Sequence, residues 1–327
     1  RTSWLWPRRA RRHSLDTLAA GGSPHPVVPM SGDANRRAQF GGIRDHLPNR
    51  HAGNRRVGLP SDDTQLAFRT LESLLAHRGL DPEALARDLS SRRIFGMGGT
   101  VRAFLRRYRD EGLPWHEAAI ESAGDGALMR IAPVLVPHLR RPSAALWADT
   151  ALAAMITHND RASTGSCIAF VHLLRELIGR TTAPEPSCWF DTFIAVLAPL
   201  EGDTHYRTRT PHIAYEGPLW RLVDLHVRQA LARDMDTAAA CDWWYSGAYL
   251  LETVPSVLYV LCRHGHDPEE AIVRAVNDTR DNDTAGAIVG AAVGALHGRS
   301  RLPRRWVDGL LGRTAEADDG RIFELIE

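Results

Sequence analysis

Hydrophobic residues along most of this chain recur at the three-to-four-residue spacing of buried helix faces. Between residues 64 and 78, Leu66, Leu71, Leu74 and Leu75 stand at helical spacing and predict a helix. Asp81-Pro82-Glu83 opens the next, with a capping acid, a proline at the first helical position and an acid in the first turn. Asp267-Pro268-Glu269-Glu270 repeats that start signal. Further apolar helical stretches are predicted near 143–156, 163–178, 190–199, 218–233 and 246–263. Alternating runs of β-branched residues, the mark of half-buried strands, are almost absent. Nothing repeats at the roughly 30–45-residue period of a solenoid. The polar stretches 180–187 and 201–218, which contain Pro or Gly, read as linkers. The pattern predicts one compact all-α domain.

Composition narrows the chemistry. At 327 residues, 44% of them hydrophobic and 24% charged, the chain is long enough to bury a large core. All 40 residues of the Lys+Arg count are arginine. Without lysine there is no Schiff base, no pyridoxal-phosphate chemistry and no P-loop lysine. Arginine keeps its proton near neutral pH, so acid–base work falls to Asp, Glu, His, Cys or Tyr. Anions must be met by arginine, metal ions or backbone amides. Cys167, Cys188, Cys241 and Cys262 form no C-x-x-C pair and are expected to be small buried thiols in a reducing compartment.

The formal net charge of +1 hides an asymmetry. Residues 1–60 hold eleven arginines against three acids (Asp16, Asp33 and Asp45), a balance of +8 that leaves −7 for residues 61–327. Residues 1–38 are expected to form a basic, disordered or aberrant extension ahead of a domain spanning 39–327. Because the chain opens on Arg1, its native start is expected to be missing or altered. A basic arm of this kind could bind nucleic acid, but a disordered extension gives the same composition, and nucleic acid is not an expected partner. The apolar run 285–296, 12 residues long, is too short to span a bilayer, and no apolar signal stretch follows the arginine-rich start. A cytoplasmic protein without membrane association is expected.

Two acidic stretches sit where helices are predicted to begin: Ser61-Asp62-Asp63-Thr64 and Asp281-Asn282-Asp283-Thr284. Helix capping accounts for one Asp per helix, since Asp and Thr suit the positive end of the helix dipole. It leaves the second Asp of each cluster unexplained. A hard cation that gathers several oxygens in a small volume accounts for both. Neither cluster fits an EF-hand, for lack of the loop glycine and the closing Glu. Spacing alone leaves capping and metal binding both open.

Glycine supplies the remaining signals. Gly286, Gly290, Gly294 and Gly298 recur every four residues along one face of the helix after the second cluster. Each costs an isolated helix about 1 kcal/mol relative to alanine, so the ridge is expected to admit a close helix–helix contact. Gly96-Met97-Gly98-Gly99-Thr100 and Gly124-Asp125-Gly126 ahead of Met129 are glycine-rich turns whose amides could hold phosphate without lysine. Either could equally be an ordinary turn. His158, in Thr157-His158-Asn159-Asp160, is a candidate ligand contact or a structural hydrogen-bonding residue.

In order and spacing these segments resemble the ADP-ribosylglycohydrolase family, which includes the dinitrogenase-reductase-activating glycohydrolases and the eukaryotic ADP-ribosyl-acceptor hydrolases. The resemblance covers roughly residues 40–312. It runs through Phe40-Gly41-Gly42-Ile43, the two acidic motifs, both glycine loops, Thr157-His158, Glu252-Thr253-Val254, Leu302-Pro303 and Trp306.

The resemblance implies an all-α, orthogonal multi-helix domain that hydrolyses the glycosidic bond between ADP-ribose and a modified acceptor. The acceptor would be of arginine type or related, on a protein or a small molecule. It implies two divalent cations, Mg2+ or Mn2+, held by Ser61, Asp62, Asp63, Asp281, Asp283 and Thr284, with Asp62, Asp63 and Asp283 catalytic. Gly96, Gly98, Gly99, Gly124, Asp125, Gly126, Met129 and His158 would contact substrate.

This chain departs from the family pattern at several points. Gly32-Asp33-Ala34 is followed by Asn35-Arg36-Arg37, where relatives carry a further glycine and then a glutamate, and no glutamate precedes Glu72. Ser61 stands where threonine is usual, Gly96 where some relatives have Asp, Asp125 in place of Asn, and Thr279-Arg280 in place of Gly-Gly. The alternative implied by the first departure is a catalytically impaired member that binds ADP-ribose or serves a structural role.

Overall fold

The computed structural model describes residues 58–140, 143–313, 320 and 324. The basic segment 1–38, Gly32-Asp33-Ala34 and Phe40-Gly41-Gly42-Ile43 lie outside the described residues. The chain begins with α1 (Asp62–His77), α2 (Pro82–Ser90), α3 (Gly99–Leu105, continued by a π-turn over Arg106–Asp110) and α4 (Trp115–Ala118). Two 3-10 turns, Leu128–Arg130 and Ala132–His138, lead to α5 (Ala145–Met155), α6 (Arg161–Leu177) and α7 (Pro186–Glu201). Then come α8 (Leu219–Ala232), α9 (Thr237–Trp243), α10 (Leu250–His264), α11 (Pro268–Asp278), α12 (Asn282–His297) and α13 (Arg304–Val307). The fold is all-α.

Helix starts follow the capping chemistry. The Asp81 side chain accepts from the Ala84 amide, Asp160 from Ser163, Asp236 from Ala239, and Asp267 from both Glu269 and Glu270. Ser61 and Asp281, at the N-caps of α1 and α12, make no such side-chain bond. Capping therefore explains four aspartates elsewhere and leaves the two acidic clusters to another cause.

The core is built on α10, whose residues 250–262 are all buried. A helix apolar on every side must be covered on every side, and α7, α8, α9, α11 and α12 do so. Trp189, Trp244, Tyr259, Phe104, Phe190 and Phe193 are its largest fully buried apolar side chains, each contributing about 2–3 kcal/mol by leaving water. The buried indole of Trp244 donates to Ser256 Oγ at 2.6 Å. The four cysteines are free, three of them buried and Cys188 half-buried.

Two expectations change. The linker 201–218 contains a short antiparallel hairpin, β1 (Tyr206–Arg207) with β2 (Glu216–Gly217). At two residues each, these strands are too short to show alternation. The glycine ridge of α12 is not a continuous close contact either. A Cβ on Gly286 would meet Val276 Cγ2 at 3.1 Å, whereas one on Gly290 or Gly294 would meet nothing within 4 Å among the described residues. Gly298 ends the helix at φ +73°.

A buried metal-type centre beside two glycine loops

The N-termini of α1 and α12 meet, joining residues 221 positions apart: Thr284 Oγ1 donates to Asp63 Oδ1 at 2.9 Å. Ser61 Oγ donates to the other oxygen, Asp63 Oδ2, at 2.7 Å. Asp62, Asp63 and Asp283 each bring one carboxylate oxygen to within 4.8 Å of the others, and all three residues are buried. Burial first, then the charges of Asp283 and Asp62, push the Asp63 carboxyl well above the usual carboxylate range. Hydrogen bonds from Ser61 and Thr284 oppose that shift. Asp283 Oδ1 is buried with no hydrogen-bond partner among the described residues. Gathered carboxylates, flanking hydroxyls and an orphaned oxygen form a hard-oxygen set that suits Mg2+, Mn2+ or Ca2+.

The centre opens on a cleft lined by Asp62, Asp63, Asp281, Asp283, Thr284 and both glycine loops. Each residue singled out in the sequence lines it: Gly96, Gly98, Gly99, Gly124, Asp125, Gly126, Met129 and His158. Ser61 does not line the cleft and meets the centre through its bond to Asp63. Gly96 takes φ +82°, and a Cβ there would meet Asp62 Oδ1 at 2.9 Å. An aspartate at that position, as in some relatives, would crowd Asp62. The Gly124 amide donates to Ser122 Oγ at 3.2 Å, and Ser122 also contacts Thr100 Oγ1 at 3.0 Å, tying the two loops together.

The helix predicted from 246 begins only at Leu250, and residues 245–249 form a turn. Tyr245 and Ser246 both have left-handed backbones, at φ 80° and 45°, a conformation that costs a non-glycine residue about 1–3 kcal/mol and is found at functional sites. Here the strain has an evident product. The Ser246 carbonyl accepts from the amides of Arg280 and Asp281, at 3.1 and 3.0 Å, and so fixes the start of the second acidic motif. Ala248 of the same turn lines the cleft. No glycine or proline marks either strained position, so the sequence carried no signal for them. Glu252 and Thr253 act from behind the cleft. Glu252 pairs with Arg209 through two bonds of 2.7 Å, and Thr253 Oγ1 donates to Asp125 Oδ2 at 2.7 Å.

Comparison with known proteins identifies the family. The sequence profile of the ADP-ribosylglycohydrolase family matches residues 19–327. An uncharacterized protein of Archaeoglobus fulgidus is 27% identical over 92% of both chains. The ADP-ribosylarginine hydrolase Tri1 of Serratia proteamaculans is 26% identical over 77% of this chain, which spans 63% of that protein. The ADP-ribosyl-dinitrogen reductase glycohydrolase of Rhodospirillum rubrum is 26% identical over 77% of this chain and 74% of its own. A solved structure described as an ADP-ribosylglycohydrolase-related protein complex superposes with a TM-score of 0.58 at 30% identity, covering 82% of this chain and 80% of that one. With the profile spanning nearly its whole length, this chain belongs to the ADP-ribosylglycohydrolase family and is a hydrolase of that type.

Proposed function

We propose that this protein hydrolyses the glycosidic bond between ADP-ribose and an acceptor of arginine type, using divalent cations held by Ser61, Asp62, Asp63, Asp281, Asp283 and Thr284. The observation that carries this reading is the buried Asp62–Asp63–Asp283 cluster, with Asp283 Oδ1 unpartnered at the head of a glycine-walled cleft. Leaving three carboxylates together without a counter-charge is costly, and a cation removes that cost. A Mg2+ or Mn2+ held there would supply Lewis-acid polarisation of substrate oxygens and a more acidic water.

The chain's own groups do the rest. Water oxygen bonds to the anomeric carbon as the bond to the acceptor breaks; one water proton goes to the departing acceptor and the other remains on the new sugar hydroxyl. Asp62, Asp63 and Asp283 stabilise the positive charge that develops on the sugar. Backbone amides around Gly98, Gly99 and Gly126 receive the diphosphate, a role open to a chain without lysine. Asp125, fixed by Thr253, and Met129 line the same cleft. The hydrolase domain is taken to run over residues 39–327, with residues 1–38 a basic extension. The names of the Serratia and Rhodospirillum relatives favour an ADP-ribosylated arginine or protein as substrate.

A thermal-shift titration tests the cation site. Mg2+ or Mn2+ is expected to raise Tm by mass action on the folded state, and ADP-ribose to raise it further. A folded protein whose Tm responds to neither would sink the reading. Asn35-Arg36-Arg37 after Gly32-Asp33-Ala34, where the family pattern has glycine and then glutamate, favours a second reading, a binding protein without turnover. That protein would show both shifts and release no ADP-ribose from a modified peptide.

A further inference from the structure

A chain of hydrogen bonds runs from the core to the cleft through Arg130, Thr157 and His158. Arg130 is fully buried, and its Nη2 donates to the Ala153 carbonyl at 3.0 Å and to Thr157 Oγ1 at 2.9 Å. Thr157 Oγ1 in turn lies 2.9 Å from His158 Nδ1. Together these contacts favour one arrangement of the protons. A guanidinium has no lone pair to offer, so the threonine oxygen accepts from Arg130. Its single proton is then free to donate to Nδ1, the other partner within reach. An Nδ1 that accepts leaves the ring proton on Nε2.

The ring is held on both sides. The His158 amide bonds to the Ala154 carbonyl at 3.1 Å, and residues 157–159 bridge to Ile120 through amide–carbonyl bonds of 3.4 and 2.8 Å. The Nε2 edge lies against the second glycine loop. A Cβ on Gly124 would come within 3.4 Å of Nε2, and one on Gly126 within 3.2 Å of Nε2 and 2.9 Å of Cε1. That edge therefore meets the cleft where the loop carries no side chain.

We propose that Thr157 and Arg130 are positioning residues that lock His158 as the Nε2–H tautomer, a fixed uncharged donor aimed at a ligand oxygen between Gly124 and Gly126. Only the identity of that oxygen, on a phosphate or a ribose hydroxyl, rests on the ADP-ribose reading above; the tautomer does not. Burial, then the neighbouring Arg130 charge, lowers the His158 pKa to about 3 and keeps the ring neutral. Arg130 is a poor choice for stability alone. Its Nε and Nη1 are buried without partners among the described residues, and burial lowers its own pKa to about 10. A buried, half-satisfied guanidinium is costly, as expected of a group retained for what it orients.

The test is a long-range proton–nitrogen NMR spectrum of the full chain with labelled histidine, the His158 signals being those that vanish in His158→Gln. At neutral pH the wild type and Thr157→Ser are expected to show Nδ1 unprotonated and Nε2 protonated. Thr157→Val, close in shape but without the hydroxyl, is expected to shift His158 towards the other tautomer or a mixture while leaving the circular dichroism and the cation-induced Tm shift intact. ADP-ribose affinity by calorimetry is expected to fall about tenfold in Thr157→Val, about 1.4 kcal/mol, and to recover in Thr157→Ser. A wild-type ring protonated on Nδ1 or on both nitrogens, or a Thr157→Val spectrum identical to wild type, overturns the lock. An altered tautomer with unchanged affinity overturns the donor role. Wild type with the expected tautomer but no ADP-ribose binding sinks the ADP-ribose reading and leaves the lock standing.

Discussion

Asp283 separates a structural account of the acidic centre from a functional one. Its orphaned oxygen and its charge beside Asp63 work against the metal-free fold. Asp283→Asn is therefore expected to raise the Tm of the chelated protein, by on the order of 1 kcal/mol of stability, while abolishing the rise on adding Mn2+. Scanning fluorimetry with and without chelator reads both; a substitution that destabilises the chelated protein would argue for a structural role. His158 supplies a pH dependence. Its folded pKa, about 3, lies below the ordinary 6.5, so between those values the unfolded chain binds the extra proton. Stability is fully present above pH 6.5 and falls as pH drops towards 3, by at most about 1.4 kcal/mol per pH unit. His158→Gln is expected to flatten that acid limb of the Tm–pH curve, and an unchanged limb would show that the ring is not buried neutral. Gly126→Ala places a methyl 2.9 Å from His158 Cε1 and is expected to weaken ADP-ribose binding with little change in the cation response, as calorimetry would show.

At the scale of elements, the aspartates at helix starts divide into those that cap and those that do not. Asp267→Ala removes bonds to the Glu269 and Glu270 amides and is expected to cost about 1 kcal/mol with or without cation. Asp281 makes no capping bond; Asp281→Ala is expected to lose most of the cation-induced stabilisation, which Asp267→Ala keeps. A Tm rise on adding cation that is the same in both variants would return Asp281 to a capping role. On α12, Gly290→Ala and Gly294→Ala each place a methyl clear of every described residue and are expected to raise stability by about 1 kcal/mol, whereas Gly286→Ala presses on Val276. A loss of Tm at Gly290 or Gly294 would mean that another surface covers that face. Helices and their caps were legible because their signals are local, in the spacing of Leu66, Leu71 and Leu74, all buried, and in Asp-Pro-Glu at 81 and 267; Leu75, at the same spacing, is exposed. The turn at Tyr245–Ser246 was not, because its left-handed backbone is imposed by what it holds, the amides of Arg280 and Asp281.

Across the whole molecule, the centre joins the first and last long helices of the described chain, α1 and α12, around the α10 core. That union was readable only because both acidic motifs carry one more Asp than capping needs. The Arg130–Thr157–His158 chain was not readable, since a buried arginine without a carboxylate has no sequence pattern of its own. No helix among the described residues is long and apolar enough to cross a membrane. The decisive assay is release of ADP-ribose from an ADP-ribosylated arginine peptide by the full chain, with Mg2+ or Mn2+, in wild type and Asp283→Asn. We expect release that stops on chelation and falls roughly a hundredfold or more in Asp283→Asn. Release indifferent to chelator and to the substitution, or none at all from a wild type that binds both cation and ADP-ribose, would overturn the assignment of this centre as a hydrolytic site.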